Sequence, residues 1–168
     1  MRTALVALGI GFVFSTLMLA ESAAGLKWSA PAGWVSKGSA PFRVVTYTVA
    51  PETECIVYFF GAGQGGSVEA NLARWQGQFS QGGKPAQSKV DKRAIHGIPV
   101  TTVDLTGTYA GTGGQAKEGQ GPQAGYRMMA AVATGSGGNI FIRFIGPEKA
   151  VGANAAKYEQ LLASLGPQ

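Results

Sequence analysis

Reactive side chains are scarce in this sequence. It has one cysteine and one histidine, and only 14% of its residues are charged. A lone Cys55 excludes an intramolecular disulfide, so the chain must hold together by burying a core. Cys55 lies in the apolar run Cys55-Ile-Val-Tyr-Phe-Phe60, where a small buried hydrophobe is the expected role. One histidine and one cysteine far apart give no metal-ligand spacing, so neither a metal nor another cofactor is expected. Past residue 24 the carboxylates are Glu52, Glu54, Glu69, Asp91, Asp104, Glu118, Glu148 and Glu159. No two stand at a spacing that predicts a paired acid and base. A serine paired with His96 and Asp104 is the one hydrolase arrangement left open, and no nucleophile-elbow sequence accompanies it. The basic residues are scattered, with only residues 89–93 (Lys-Val-Asp-Lys-Arg) resembling a cluster. Nucleic-acid binders concentrate positive charge in a stripe, so the net charge of +5 is read as a solubility feature.

Residues 4–20 contain no charge at all, and Arg2 precedes them. Glu21-Ser22-Ala23-Ala24 follows, with small residues at −3 and −1 if a peptidase cuts after Ala24. A positive start, an apolar middle and a small-residue exit form the layout of a secretory signal peptide. Residues 1–24 are therefore assigned to a signal peptide, and residues 25–168 to a single exported domain, periplasmic or secreted. The alternative is a retained anchor, because the apolar run approaches the roughly 20 residues that span a bilayer. No cysteine stands near the cut to accept a lipid, so the mature chain is expected to have no membrane span.

Organisation within the domain follows from periodicity. Trp28 and Trp34 flank Pro31 and Gly33 as core plugs around a short edge strand and a turn. Residues 43–50 alternate, Pro51-Glu52 is a turn, and residues 55–60 form a strand, which together predict an antiparallel hairpin. After a glycine loop at residues 61–66, Ser67 is a candidate N-cap. Val68, Leu72, Trp75 and Phe79 then make one helical stripe over residues 68–79. Two strands, residues 89–94 and 99–109, are expected to meet at His96-Gly97. Residues 110–124, rich in glycine and glutamine without a large apolar side chain, read as a flexible loop. Two more strands (125–133 and 139–145) precede a helix opened by Pro147, with Val151, Ala155, Tyr158, Leu161, Leu162 and Leu165 on one face. This order predicts an α+β fold, an antiparallel sheet with two helices packed on it.

Pro31-Ala-Gly-Trp34, the turn around Gly97-Ile-Pro99 and the closing helix Tyr158-Glu-Gln-Leu-Leu-Ala-Ser-Leu165 resemble the landmarks of the PsbP/Mog1-like fold. Tyr58-Phe-Phe60, the loop Gly61-Ala-Gly63-Gln64-Gly65-Gly66, Ser67-Val-Glu-Ala-Asn71 and Arg74-Trp75 also resemble a group of exported bacterial proteins of unknown function. Gly125-Tyr-Arg-Met128 and Gly146-Pro-Glu-Lys149 fit the same pattern, whereas Ala62 stands where that group commonly has proline. The resemblance implies a PsbP-like sandwich and an exported compartment, and it brings no catalytic residues.

The glycine loop formally matches G-x-G-x-x-G, but a dinucleotide site needs a parallel βαβ unit and an acid about 20 residues further on. The expected hairpin before the loop and antiparallel strands after the helix argue against one. A bare anion at the helix start survives as an alternative, with Gly63, Gln64, Gly65, Gly66, Ser67, Asn71 and Arg74 as its candidate residues. Trp75 is assigned to the core, with Asn71 and Arg74 facing solvent; a ligand cleft lined by the three is the other possibility. The sequence thus points to an exported, non-enzymatic monomer that binds an envelope or extracellular protein or another envelope component. A small-ligand or anion binder is the second reading, and a hydrolase built around His96 the third.

Overall fold

The computed structural model describes residues 20–111 and 121–168. Most of the apolar leader segment and the middle of the glycine/glutamine loop lie outside the described residues. Two short strands, β1 (Ala20–Ala23) and β2 (Leu26–Ser29), are followed by β3 (Val35–Ser36). The expected hairpin is β4 (Arg43–Ala50) with β5 (Thr53–Tyr58), turning at Glu52, whose φ is 55°. Helix α1 (Val68–Gln76) leads to β6 (Phe79–Gln81), β7 (Lys84–Pro85), β8 (Ser88–Ile95) and β9 (Ile98–Tyr109). Then come β10 (Gln123–Gly135), β11 (Gly138–Pro147), α2 (Glu148–Ala163) and β12 (Gly166–Pro167). The main sheet runs β3-β4-β5-β11-β10-β9-β6-β7, and β8 shares the edge of β9 with β6. A small second sheet is ordered β1-β2-β12. Every pairing among these strands is antiparallel. The chain is α+β, as its periodicity predicted.

Alternation along the strands divides the side chains between two cores. Cys55 and Val57 of β5 point the same way as Ile140, Ile142 and Phe144 of β11, where α2 covers them with Val151, Tyr158, Leu161 and Leu162. Trp28 and Trp34 join that core, and Trp28 Nε1 donates to the Tyr47 hydroxyl at 3.1 Å. Burial pushes the Cys55 thiol up, so it is neither charged nor accessible as a nucleophile. On the opposite face Val103, Leu105, Met128, Ala130, Val132 and Phe141 meet Trp75 of α1 and Phe79.

Several boundaries within the domain differ from the sequence reading. The helix predicted over residues 68–79 ends at Gln76: Gly77 N–H donates to Ala73 O, and Phe79 pairs with Tyr109 in the sheet. Phe79 still reaches the Trp75 core, which is why its spacing looked helical. Gln123 and Ala124, expected in the loop, belong to β10, which carries a bulge between Gln123 and Tyr126. Residues 20–24, which the sequence reading gives to the leader, make contacts of their own in the uncleaved chain. Ala20–Ala23 pair with β2, Ala24 is buried, and Gly137 N–H donates to Ala24 O at 2.9 Å. Among the described residues no helix is long and apolar enough to cross a membrane.

Candidate functional site

The glycine loop is filled by its own chain. Ser67 Oγ accepts from the Ala70 N–H at 3.1 Å and caps α1, as its position before the helix suggested. Asn71 does not face solvent as expected: it is 1% exposed, and its side-chain amide donates to Gly65 O and Ser67 O, each at 2.8 Å. Its remaining oxygen accepts from Arg74. The asparagine therefore staples the loop to the helix start, using polar capacity that an anion site would have required. Gly65 is pressed against aromatic rings, and a Cβ there would lie 2.6 Å from Phe141 Cε2 at a φ of 87°. Gly63, Gln64 and Gly66 form the rest of the turn, with Gly63 in open space. The strand before the loop, β5, pairs antiparallel on both sides, with β4 and with β11. That removes the parallel βαβ context a dinucleotide fingerprint needs.

His96 and Asp104 are kept apart. His96 occupies a two-residue turn with Gly97, both at positive φ (49° and 81°), and its Nδ1 lies 2.7 Å from Leu165 O. Asp104 lies six positions beyond Ile98 on the same extended strand, about 20 Å away at the usual rise. It accepts two hydrogen bonds from Arg127, at 2.9 and 2.6 Å. Those bonds to the carboxylate raise the pKa of the Arg127 guanidinium. No group of three histidine, cysteine, aspartate or glutamate side chains that could hold a metal occurs among the described residues.

The larger concave surface lies elsewhere. Helix α1 has nine residues, about 14 Å of helix, whereas β10 has thirteen, about 44 Å of strand. So short a helix covers only one end of the sheet face on which it lies. Among the described residues, the rest of that face is an open groove made of two adjoining basins of about 790 and 590 Å³, which share Arg43, Tyr58 and Arg143. Register explains the floor: Tyr58 pairs with both Arg43 and Phe141, and Arg143 pairs with Ile56 and Ala130. Aromatic rings stand in series, with Phe42 5.5 Å from Phe60, and Phe60 5.6 Å from Phe141. Tyr109 and Tyr126 stack at 6.2 Å at the other side. Phe42 is 63% exposed at a φ of 63°, an unusual conformation for a bulky residue and one often found at functional sites.

Arginines punctuate this apolar surface. Arg43 lies over the Tyr58 ring, 5.7 Å from its centroid. Arg143 Nη2 donates to the Tyr109 hydroxyl at 3.1 Å, and its Nε faces Met128 Sδ at 3.5 Å. Arg74 and Trp75, which the sequence offered as a possible cleft, do line the smaller basin, while Asn71 does not. Arg43, Tyr58, Tyr109 and Arg143 were missed. The available signal was Arg143, a single charge inside the otherwise apolar stretch Ile140-Phe-Ile-Arg-Phe-Ile145.

No family model matches the chain, and no curated protein matches it in sequence. Solved structures do. Cyanobacterial PsbP (CyanoP) from Synechocystis sp. PCC 6803 superposes with a TM-score of 0.56 at 14% identity, over 95% of this chain and 98% of that one. A protein of unknown function, PA94 from Pseudomonas aeruginosa, gives 0.49 at 13% identity, over 90% and 97%. The first likeness is one of fold alone: this chain has a PsbP-like α+β fold.

Proposed function

We propose that this protein is an exported, non-enzymatic domain that binds an envelope component through the half-covered face of its main sheet. The observation that carries this reading is the groove itself, a sheet face that the described residues leave open beside α1 and line with aromatic rings and arginines. Exposed apolar surface edged by charge is typical of interaction sites. Tyrosine, tryptophan and arginine are also the side chains that most often anchor partners. The groove is favoured over the glycine loop, because Ser67 already caps the Ala70 N–H and the Asn71 amide is spent on the carbonyls of Gly65 and Ser67.

Crosslinking in cells that export the protein tests this directly. A photoreactive benzoylphenylalanine at Phe42 is expected to give an adduct in the envelope fraction, identified by its mass. The same group at Val90, exposed at 41% on β8, is expected to give none. Equal labelling from the two positions would sink the groove as the binding face.

Export has its own test. The charge-free run and the Ser22-Ala-Ala24 exit predict a mature chain beginning at Gly25, which would release β1 from β2. N-terminal sequencing of exported material is expected to read Gly25; an intact Met1 recovered in the membrane pellet would refute cleavage.

A further inference from the structure

We infer that the groove takes an anionic amphiphile, a carboxylate or phosphate head on an apolar body. The inference rests on the groove being the binding face and adds the chemistry of its occupant. The arginines carry it. Outside the groove, Arg93 bonds Glu159 at 2.5 Å and Arg127 bonds Asp104. Inside it, Arg43, Arg74 and Arg143 have no carboxylate partner among the described residues. Arg143 is half-buried mid-strand between Phe141 and Ile145, and its acceptors among the described residues are a phenol oxygen and a thioether. Neither compensates a desolvated guanidinium as an anion would, and carboxylate and phosphate match its fork of donors.

The apolar part of the ligand follows from the walls. Phe42, Phe60 and Phe141 line the smaller basin together with the three arginines, so a bare ion would leave most of that surface uncovered. Its volume of about 590 Å³ falls within the range of roughly 300–1,000 Å³ common for small-ligand pockets. Glu52 and Glu54 line the far end of the larger basin, where Lys37 bonds Glu54 at 2.7 Å. Lys37 offsets only one of these two carboxylates, and the negative charge left there disfavours an anion, which sets the direction. The head lies at Arg43 and Arg143, and the body runs towards Phe42 and Phe60.

Calorimetric titration with octanoate tests the assignment, with 1-octanol as the uncharged counterpart and acetate as the head alone. Octanoate is expected to bind one to one, more weakly at about 500 mM than at about 50 mM salt, because ions screen the arginines. Octanol and acetate are each expected to bind at least about tenfold more weakly, since each keeps only one half of the interaction. Arg143→Gln, and Arg43→Gln at the more open rim, should each weaken octanoate about tenfold or more while near-UV circular dichroism stays native. Lys149→Gln, on α2, should change nothing. Phosphatidylglycerol vesicles separate the sources: sedimentation with them that octanoate competes away assigns a lipid headgroup, and octanoate binding without it assigns a free amphiphile. No octanoate binding, octanol binding as tightly, or indifference to both arginine variants would overturn the proposal. Were Phe42 still to crosslink a protein selectively in that event, the groove would stand as a protein-docking face and only the ligand class would fall.

Discussion

Trp75→Ala is expected to cost about 3–5 kcal/mol of folding stability, the usual scale for truncating a buried aromatic. Trp75 is 1% exposed and is the one fully buried apolar side chain that α1 contributes to its core. Val68 and Leu72, on the same helix, are only partly buried. Truncation would therefore leave a cavity between α1 and the sheet strands beneath it, with few neighbours able to collapse into it. Urea denaturation monitored by circular dichroism measures the loss. A cost under about 1 kcal/mol would mean that Trp75 is not buried against the sheet, because a buried tryptophan cannot be removed so cheaply.

Asn71→Ala is expected to cost about 1–3 kcal/mol, because it strands the partly buried Gly65 O and leaves Ser67 O with only the backbone N–H of residue 71. The effect should concentrate in the glycine loop. Hydrogen exchange of residues 61–67 should rise well before that of β10 and β11, since local openings sample the weakest unit first. Asn71→Asp is the informative companion: it keeps the acceptor for Arg74 but loses the amide donors. It is expected to behave like the alanine variant. Full stability in Asn71→Asp would show that the contact with Arg74, not the bonds to the loop carbonyls, holds the turn. Neither substitution touches the floor of the groove, so crosslinking at Phe42 should persist wherever the variants remain folded.

Much of the architecture was legible without coordinates, because it depends on interactions local in sequence. The order of the strands around two helices, the Ser67 cap, the turn at His96-Gly97 and the core roles of Trp28, Trp34 and Trp75 follow from period and turn chemistry. The sequence by itself determined which face each strand residue shares and that a hairpin precedes the glycine loop. Only the tertiary structure decided which strands lie side by side, and so which side chains meet. Arg43, Tyr58 and Phe141 fall in one row because β5 pairs with β4 on one side and β11 on the other, with β11 arriving from far along the chain. Alternation assigns Arg143 to a face but is silent on whether a helix covers it. That depended on α1 stopping at Gln76, where Gly77 caps it and Phe79 joins the sheet. Asn71 is the same lesson on a smaller scale. Helical spacing set it beside Arg74 as a surface residue, but the loop folded back over it, and the Gly65 carbonyl, which needed a donor, made burial of its amide favourable.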